Sequence, residues 1–386
     1  MILTTALVLS ALPLAFAQAG QAPYKRDIAC TTKSIRKSWT DLTKGEKQNY
    51  IDADLCLMSL PPKSGIKGAT SRWDELQYAH AAQARYVHNV GAFLPFHRYF
   101  VTVHEHLLRT ECDYNGPLPY WDEPLDVGNI TRSSLFTGEP SFGGNGVGSD
   151  NCIADGPFAN ITLHFKEDLN TTDYCIARSL NDFAFSGAAR TNVDACLKHD
   201  TFVDAWRCLE GNPHNAGHGG VLGTMINILL SPGDPVFYLH HGYLDRLWWE
   251  WQSRNLSMRL TDVAGSNTPE FTFPPGGFPG NGTGPPFGGF PGGNGTGPPF
   301  GGFPGGNGTG PPFGGFPGGN GTGPPFGGGG GFVMPAPDKA FEDHFNDGGN
   351  VTTLSHTLWS AGIMENVTIA DVMNGEEGFV CADYLL

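Results

Sequence analysis

The chain has 386 residues, with 38 acidic against 23 basic side chains and a formal net charge of −15. That balance argues against nucleic acid and anionic membrane surfaces as partners, because no basic patch or cationic amphipathic helix offsets it; a neutral or cationic small molecule is the expected substrate. Eight cysteines, an even number with no C-x-x-C pair, fit disulfides made in an oxidising compartment.

Met1 to Ala17 is an apolar run ending Ala15-Phe16-Ala17, a small-residue cleavage pattern. It reads as a signal peptide over 1–17, although no Lys or Arg precedes the apolar stretch, and it is too short for a membrane span. Lys25-Arg26 marks a dibasic processing point, which makes 18–26 a short propeptide and Asp27 the first mature residue. Ten Asn-x-Ser/Thr sequons, at Asn129, Asn160, Asn170, Asn255, Asn281, Asn294, Asn307, Asn320, Asn350 and Asn366, agree with export as a glycoprotein.

The stretch RWDELQYAHAAQARYV predicts a helix carrying His80. His88 then falls before a Gly and Pro loop, and His97 opens the next helix, FLPFHRYFVTVHEHLLRTE. Two helices and their connection thus supply three imidazoles. From Asp122 to His199, Gly, Asn and Asp abound and long loops are expected. In PHNAGHGGVLGTMINILL, His214 and His218 stand at i and i+4, about 40° apart around a helix, so both rings leave one face. Ser231-Pro232-Gly233-Asp234-Pro235 breaks that helix, and the apolar run Val236 to Trp251 predicts an antiparallel partner that returns the His240-His241 pair. His104 is the nearest imitation of a ligand, seven residues from His97 on the same face.

A lone histidine is more often packing than ligand, but two separate sets of three suit two metal ions. Imidazole nitrogen accepts zinc, copper, iron or nickel, and copper(II) stands highest in the affinity order. No Asp or Glu sits at a ligand spacing, which disfavours the two-His-one-carboxylate iron sites. The zincin pattern H-E-x-x-H also fails, because Leu108 stands where its second histidine belongs.

These segments carry a resemblance. HAAQARYVHNVGAFLPFHRYFVTVHEHLLRTECDYNGPLPYWDE, from His80 to Glu123, and the stretch Pro213 to Gln252 with DPVFYLHH look like the two copper-binding regions of the tyrosinase and catechol oxidase family. The likeness runs from about Cys30 to Gln252 and resumes in the tail, where IADVM (Ile369 to Met373) and VCADY are similar to the ends of short secreted fungal members. It implies an all-α fold, a four-helix bundle holding a dinuclear type 3 copper centre that uses O2 to oxidise phenols to o-quinones. Carried over by position, His80, His88 and His97 would hold one copper, and His214, His218 and His241 the other, with His240 behind them. Asp245, four residues after His241, would orient an imidazole. Asn215 directly after His214, with Glu210 nearby, matches the family's arrangement for holding a water that accepts the phenolic proton. Several fungal members have a Cys two residues before the second ligand, cross-linked to histidine; Tyr86 stands there, so no thioether is expected.

Phe93, Phe96, Trp121, Trp248, Trp249 and Trp251 surround the motifs, chiefly as expected bundle packing, and Ile228 would lie near the entrance over the second copper if the helix after His218 is aligned through Ser231-Pro232, with a place in the core as the equal alternative. The expected copper domain spans 27–272. Residues 273–332 are a Gly/Pro/Phe/Asn repeat of about thirteen residues, a spacer of roughly 40 Å as a coil. The tail, 333–386, is too short for its own core and should dock back on the bundle, where Cys30 and Cys381 are a possible pair. Two other classes fit six histidines: a dioxygen carrier and a hydrolase with two zinc ions. Within the oxidases, an o-aminophenol or catechol oxidase without monophenol activity is the alternative.

Overall fold

The computed structural model describes residues 30–269 and 344–385; the signal peptide, propeptide and repeat expected from the sequence lie outside them. Helix starts follow capping chemistry. Thr43 Oγ1 accepts from the Glu46 N–H at 3.2 Å while the Glu46 carboxylate accepts from the Thr43 N–H at 2.8 Å, starting α1 (Lys44–Ser59). Ser71 and Asp74 repeat the reciprocal pair at α2 (Arg72–Ala81). The single helix expected over 72–87 is two, because the chain turns at Ala82 and Gln83 before one further turn, α3 (Ala84–Val87), which leaves His88 extended. α4 (Phe93–Glu111) carries Pro95 in its first turn, where no N–H is needed.

The region 122–199 is not all loop. It holds an antiparallel hairpin of Thr162–Phe165 with Thr171–Cys175, fastened by the Cys152–Cys175 disulfide, and the short helices α5 (Asp182–Phe185) and α6 (Arg190–Cys196). Strands of four or five residues are too short for an alternation to declare itself. α7 (Phe202–Leu209) then runs through a π turn, Glu210–His214, into α8 (Asn215–Val221). Pro213 has no N–H for an α ladder, and the wider turn absorbs it.

α8 ends earlier than the sequence pattern suggests. Leu222 and Gly223 take positive φ values of 55° and 52°, and a side chain on Gly223 would lie 2.0 Å from the Ala177 carbonyl oxygen. The chain therefore leaves the helix at Val221, and Ile228 lies half-buried in the turns beyond it. α9 (Val236–Ser253) starts after Pro235, as expected.

α4 and α9 are buried on nearly every side, which places them at the centre of the molecule. They pack against each other, and α2 with the α7–α8 helix completes a four-helix bundle. Beside the bundle lies a small parallel sheet. Its central strand β1 (Ser34–Ser38) pairs with β2 (Leu118–Tyr120), Arg36 opposite Leu118, and with the strand Ala382–Tyr384, Ile35 opposite Asp383. The Cys30–Cys381 disulfide, with Cα atoms 5.4 Å apart, closes the same edge. Cys56–Cys112 and Cys196–Cys208 account for the remaining cysteines. Among the described residues no helix is long and apolar enough to cross a membrane.

Candidate metal centre

His80 ends α2, His88 follows α3, and His97 sits in the second turn of α4, so three elements converge on one point. Ring centroids of this set are 5.0 to 5.7 Å apart. His214 closes the π turn, His218 lies one turn further along α8, and His240 and His241 come from α9. The ligand atoms of His80, His88 and His97 lie within 4.8 Å of one another, as do those of His214, His218, His240 and His241. The two groups meet: His97 and His241 stack with centroids 4.0 Å apart and planes 8° from parallel.

Backbone carbonyls aim the rings. Nδ1 of His80 meets the Leu229 oxygen at 3.1 Å, that of His88 the Ala84 oxygen at 2.7 Å, and that of His97 the Phe93 oxygen at 2.8 Å. His214 Nδ1 lies 3.3 Å from the Glu210 carbonyl and His218 Nδ1 2.5 Å from that of Met225, which the early end of α8 brings back to it. Each such contact leaves Nε2 for the interior, the arrangement metal-bound imidazoles use. Nε2 of His80, His97, His214 and His240 and both nitrogens of His241 are buried without a partner. So many orphaned acceptors in one place are costly unless an ion takes them up.

Burial also keeps the rings neutral. Desolvation pushes His80, His97, His214 and His241 well below the ordinary imidazole value, His88 down to about 3 and His218 to about 4. Neither group contains a carboxylate or thiolate, so each offers only neutral nitrogen, a donor set suited to copper. All six are buried; exposure is greatest at His218, 8%, and His214, 5%.

Residues 70–254 match the family described as the common central domain of tyrosinase. Over 251 residues the chain is 34% identical to Tyrosinase ustQ of Aspergillus flavus, covering 62% of this chain and 69% of that protein. The chain belongs to the tyrosinase family. Tyrosinase P of Aspergillus terreus is 30% identical over 289 residues, covering 62% of this chain and 81% of its own length. A mutant polyphenol oxidase of Thermothelomyces thermophila shares the fold, with a TM-score of 0.65 at 24% identity over 92% of this chain and 89% of that one. The protein is a type 3 copper phenol oxidase, and the two histidine groups are its paired copper sites.

Other residues singled out in the sequence fall at varied distances from the family's chemistry. Glu210 is buried; its Oε1 accepts from the Asn89 N–H at 2.7 Å and its Oε2 from the Trp206 indole at 2.6 Å, and desolvation lifts its carboxyl to about 8. Asn215 is exposed at the start of α8, its amide 3.4 Å from the Gly211 carbonyl. Asp245 does not orient an imidazole: it accepts from Arg36 Nη1 at 2.6 Å, from Tyr384 at 2.5 Å and from Arg98 Nε. Three strong donors surround it and use both oxygens. His104 is removed from the centre, bonded to Asp54 at 2.9 Å and stacked on Tyr238 at 3.7 Å.

Among the aromatic residues, Phe93 walls the centre, 4.7 Å from both His97 and His214. Trp248 instead lies under the Arg98 guanidinium at 3.8 Å, and Trp121 stacks on Phe185 at 4.8 Å, both as packing. Two residues escaped the sequence reading. Phe237 packs 4.2 Å from His241 and 5.2 Å from His80, and only its place four residues before His241 hinted at this. Glu123, the last residue of the quoted PYWDE, bonds to His240 inside the bundle.

Proposed function

We propose that this protein oxidises o-diphenols to o-quinones with dioxygen as oxidant, with His80, His88 and His97 holding one copper and His214, His218 and His241 the other. Held by these residues, the copper pair would supply the electron exchange between phenol and oxygen. Each catechol gives up two electrons and two protons, so two catechols reduce one O2 to two waters. The observation that carries the reading is the meeting of two carboxylate-free imidazole groups across the stacked His97 and His241 rings. The polypeptide aims five of the six imidazoles through backbone carbonyls and keeps them neutral by burial.

Hydroxylation of a monophenol asks for more, because a phenol with pKa near ~10 is about 0.1% ionised at neutral pH. Glu210 and Asn215 would hold the water that removes this proton. A second reading, catechol or o-aminophenol oxidation without hydroxylation, is favoured by Glu210 itself, whose two oxygens already accept from Asn89 and Trp206. Oxygen uptake by the copper-loaded protein on a monophenol, its catechol and an o-aminophenol separates them. Under the first reading Glu210→Gln lowers monophenol uptake about 10²-fold and leaves catechol uptake within a few-fold; absence of monophenol uptake in the unaltered protein establishes the second. No uptake with any of the three refutes the oxidase reading. Export through an oxidising compartment is part of the proposal, supported by the four disulfides.

A further inference from the structure

α9 offers two neighbouring imidazoles to one metal site, and something must distinguish them. His240 and Glu123 are both fully buried and share a hydrogen bond through Nδ1 and Oε1. The contact engages Nδ1 whichever atom carries the proton. Glu123 is brought there by β2 and the turn after it: the Trp121 N–H donates to the Leu239 carbonyl at 3.0 Å, locking this stretch onto α9 one residue before His240.

The held ring touches every member of the second group. Its centroid is 5.5 Å from His214, 4.7 Å from His218 and 4.8 Å from His241. Gly217, between His214 and His218, makes room: a Cβ there would stand 2.2 Å from His240 Nδ1 and 2.8 Å from Glu123 Oε1. Glycine is required at this position by the pair, since a larger residue would drive the imidazole off its carboxylate.

We propose that Glu123 is a positioning residue for the second copper: by fixing His240 it turns that ring into a wall against which His214, His218 and His241 are set. The proposal rests on the copper reading above, and its test separates the two. Copper affinity is measured by chelator competition on the full chain, with thermal midpoints of the metal-free form alongside. Partners bonded directly to metal-bound histidines are worth about 10- to 100-fold in affinity; Glu123 acts through His240, one step removed, so its effect is set at the lower end, about 10-fold. Glu123→Ala is expected to weaken one of the two coppers by that factor and leave the other unchanged, and Glu123→Gln, which keeps an oxygen for Nδ1–H, to restore most of it. Gly217→Ala should reproduce the loss by prying the pair apart, so the test survives if Glu123→Ala fails to fold. Asp54→Asn alters another fully buried carboxylate bonded to a histidine and is expected to lower the thermal midpoint without weakening copper. Retention of both coppers at native affinity by Glu123→Ala, or by Gly217→Ala where the first does not fold, overturns the proposal. An unaltered protein that never binds two coppers overturns the reading beneath it.

Discussion

Replacing Asp245 by Asn tests what holds the bundle to the sheet. The carboxylate joins Arg36 on β1, Arg98 on α4 and Tyr384 in the last strand, and both guanidinium groups are at most 1% exposed. Arg36 would keep Glu105 at 3.2 Å, but Arg98 would be left with neutral acceptors alone, the Gln252 amide and the Val372 and Met373 carbonyls at 2.9 to 3.0 Å. Breaking a buried ion pair from one side costs about 3–5 kcal/mol, because the surviving charge stays desolvated. With a urea slope of about 1–3 kcal/mol/M, the midpoint of the metal-free, disulfide-intact chain should fall by at least about 1 M. Changing Arg98 to Met as well removes the stranded charge, so the double variant should be more stable than the sum of the two losses. Copper binding should remain at two ions per chain, since neither Asp245 oxygen touches an imidazole. A loss below about 1 kcal/mol, or a selective loss of copper, refutes the reasoning.

His97→Ala and His241→Ala should each reduce copper from two ions per chain to one and lower quinone formation by at least about 10²-fold, as residues acting as a unit do; full copper loading in either variant argues against the ligand assignment. Burial holds His88 at about 3 and His218 at about 4, against an ordinary 6.5. The unfolded chain therefore takes up protons that the folded, metal-free chain refuses as pH drops from 6.5 towards 4, so stability should fall over that window, on the order of 5 kcal/mol for the two together. A flat thermal midpoint from pH 7 to 4.5 in the metal-free protein would contradict this. Replacing Cys30 and Cys381 by Ser should cost about 2–5 kcal/mol and speed amide exchange first in the strand Ala382–Tyr384; unchanged exchange there would show that β1 pairing alone holds the tail.

How far the sequence was legible follows from the range of the interactions involved. His214 and His218 were readable because one helical turn relates them, and α9 because an apolar run follows a Pro-Gly break. The end of α8 was missed although Gly223 stands just past it as a local stop signal; the close approach of the Ala177 carbonyl from a distant segment, which makes glycine necessary there, has no trace in the local pattern. Asp245 shows the same limit more sharply. Helical periodicity placed it on the side of His241, yet a carboxylate there is claimed by whichever strong donors reach it, and those come from β1, α4 and the last strand. Glu123 lies 117 residues from His240 and has no periodicity to join them. Spacing within an element therefore finds the groups that bind the metal, while the groups that aim or brace them are chosen by contacts between elements. Backbone carbonyls perform the aiming for five of the seven clustered imidazoles, which leaves no side-chain signature at all. His240 is the exception that uses a carboxylate, and it is there that a substitution outside the ligand set should be felt at the metal.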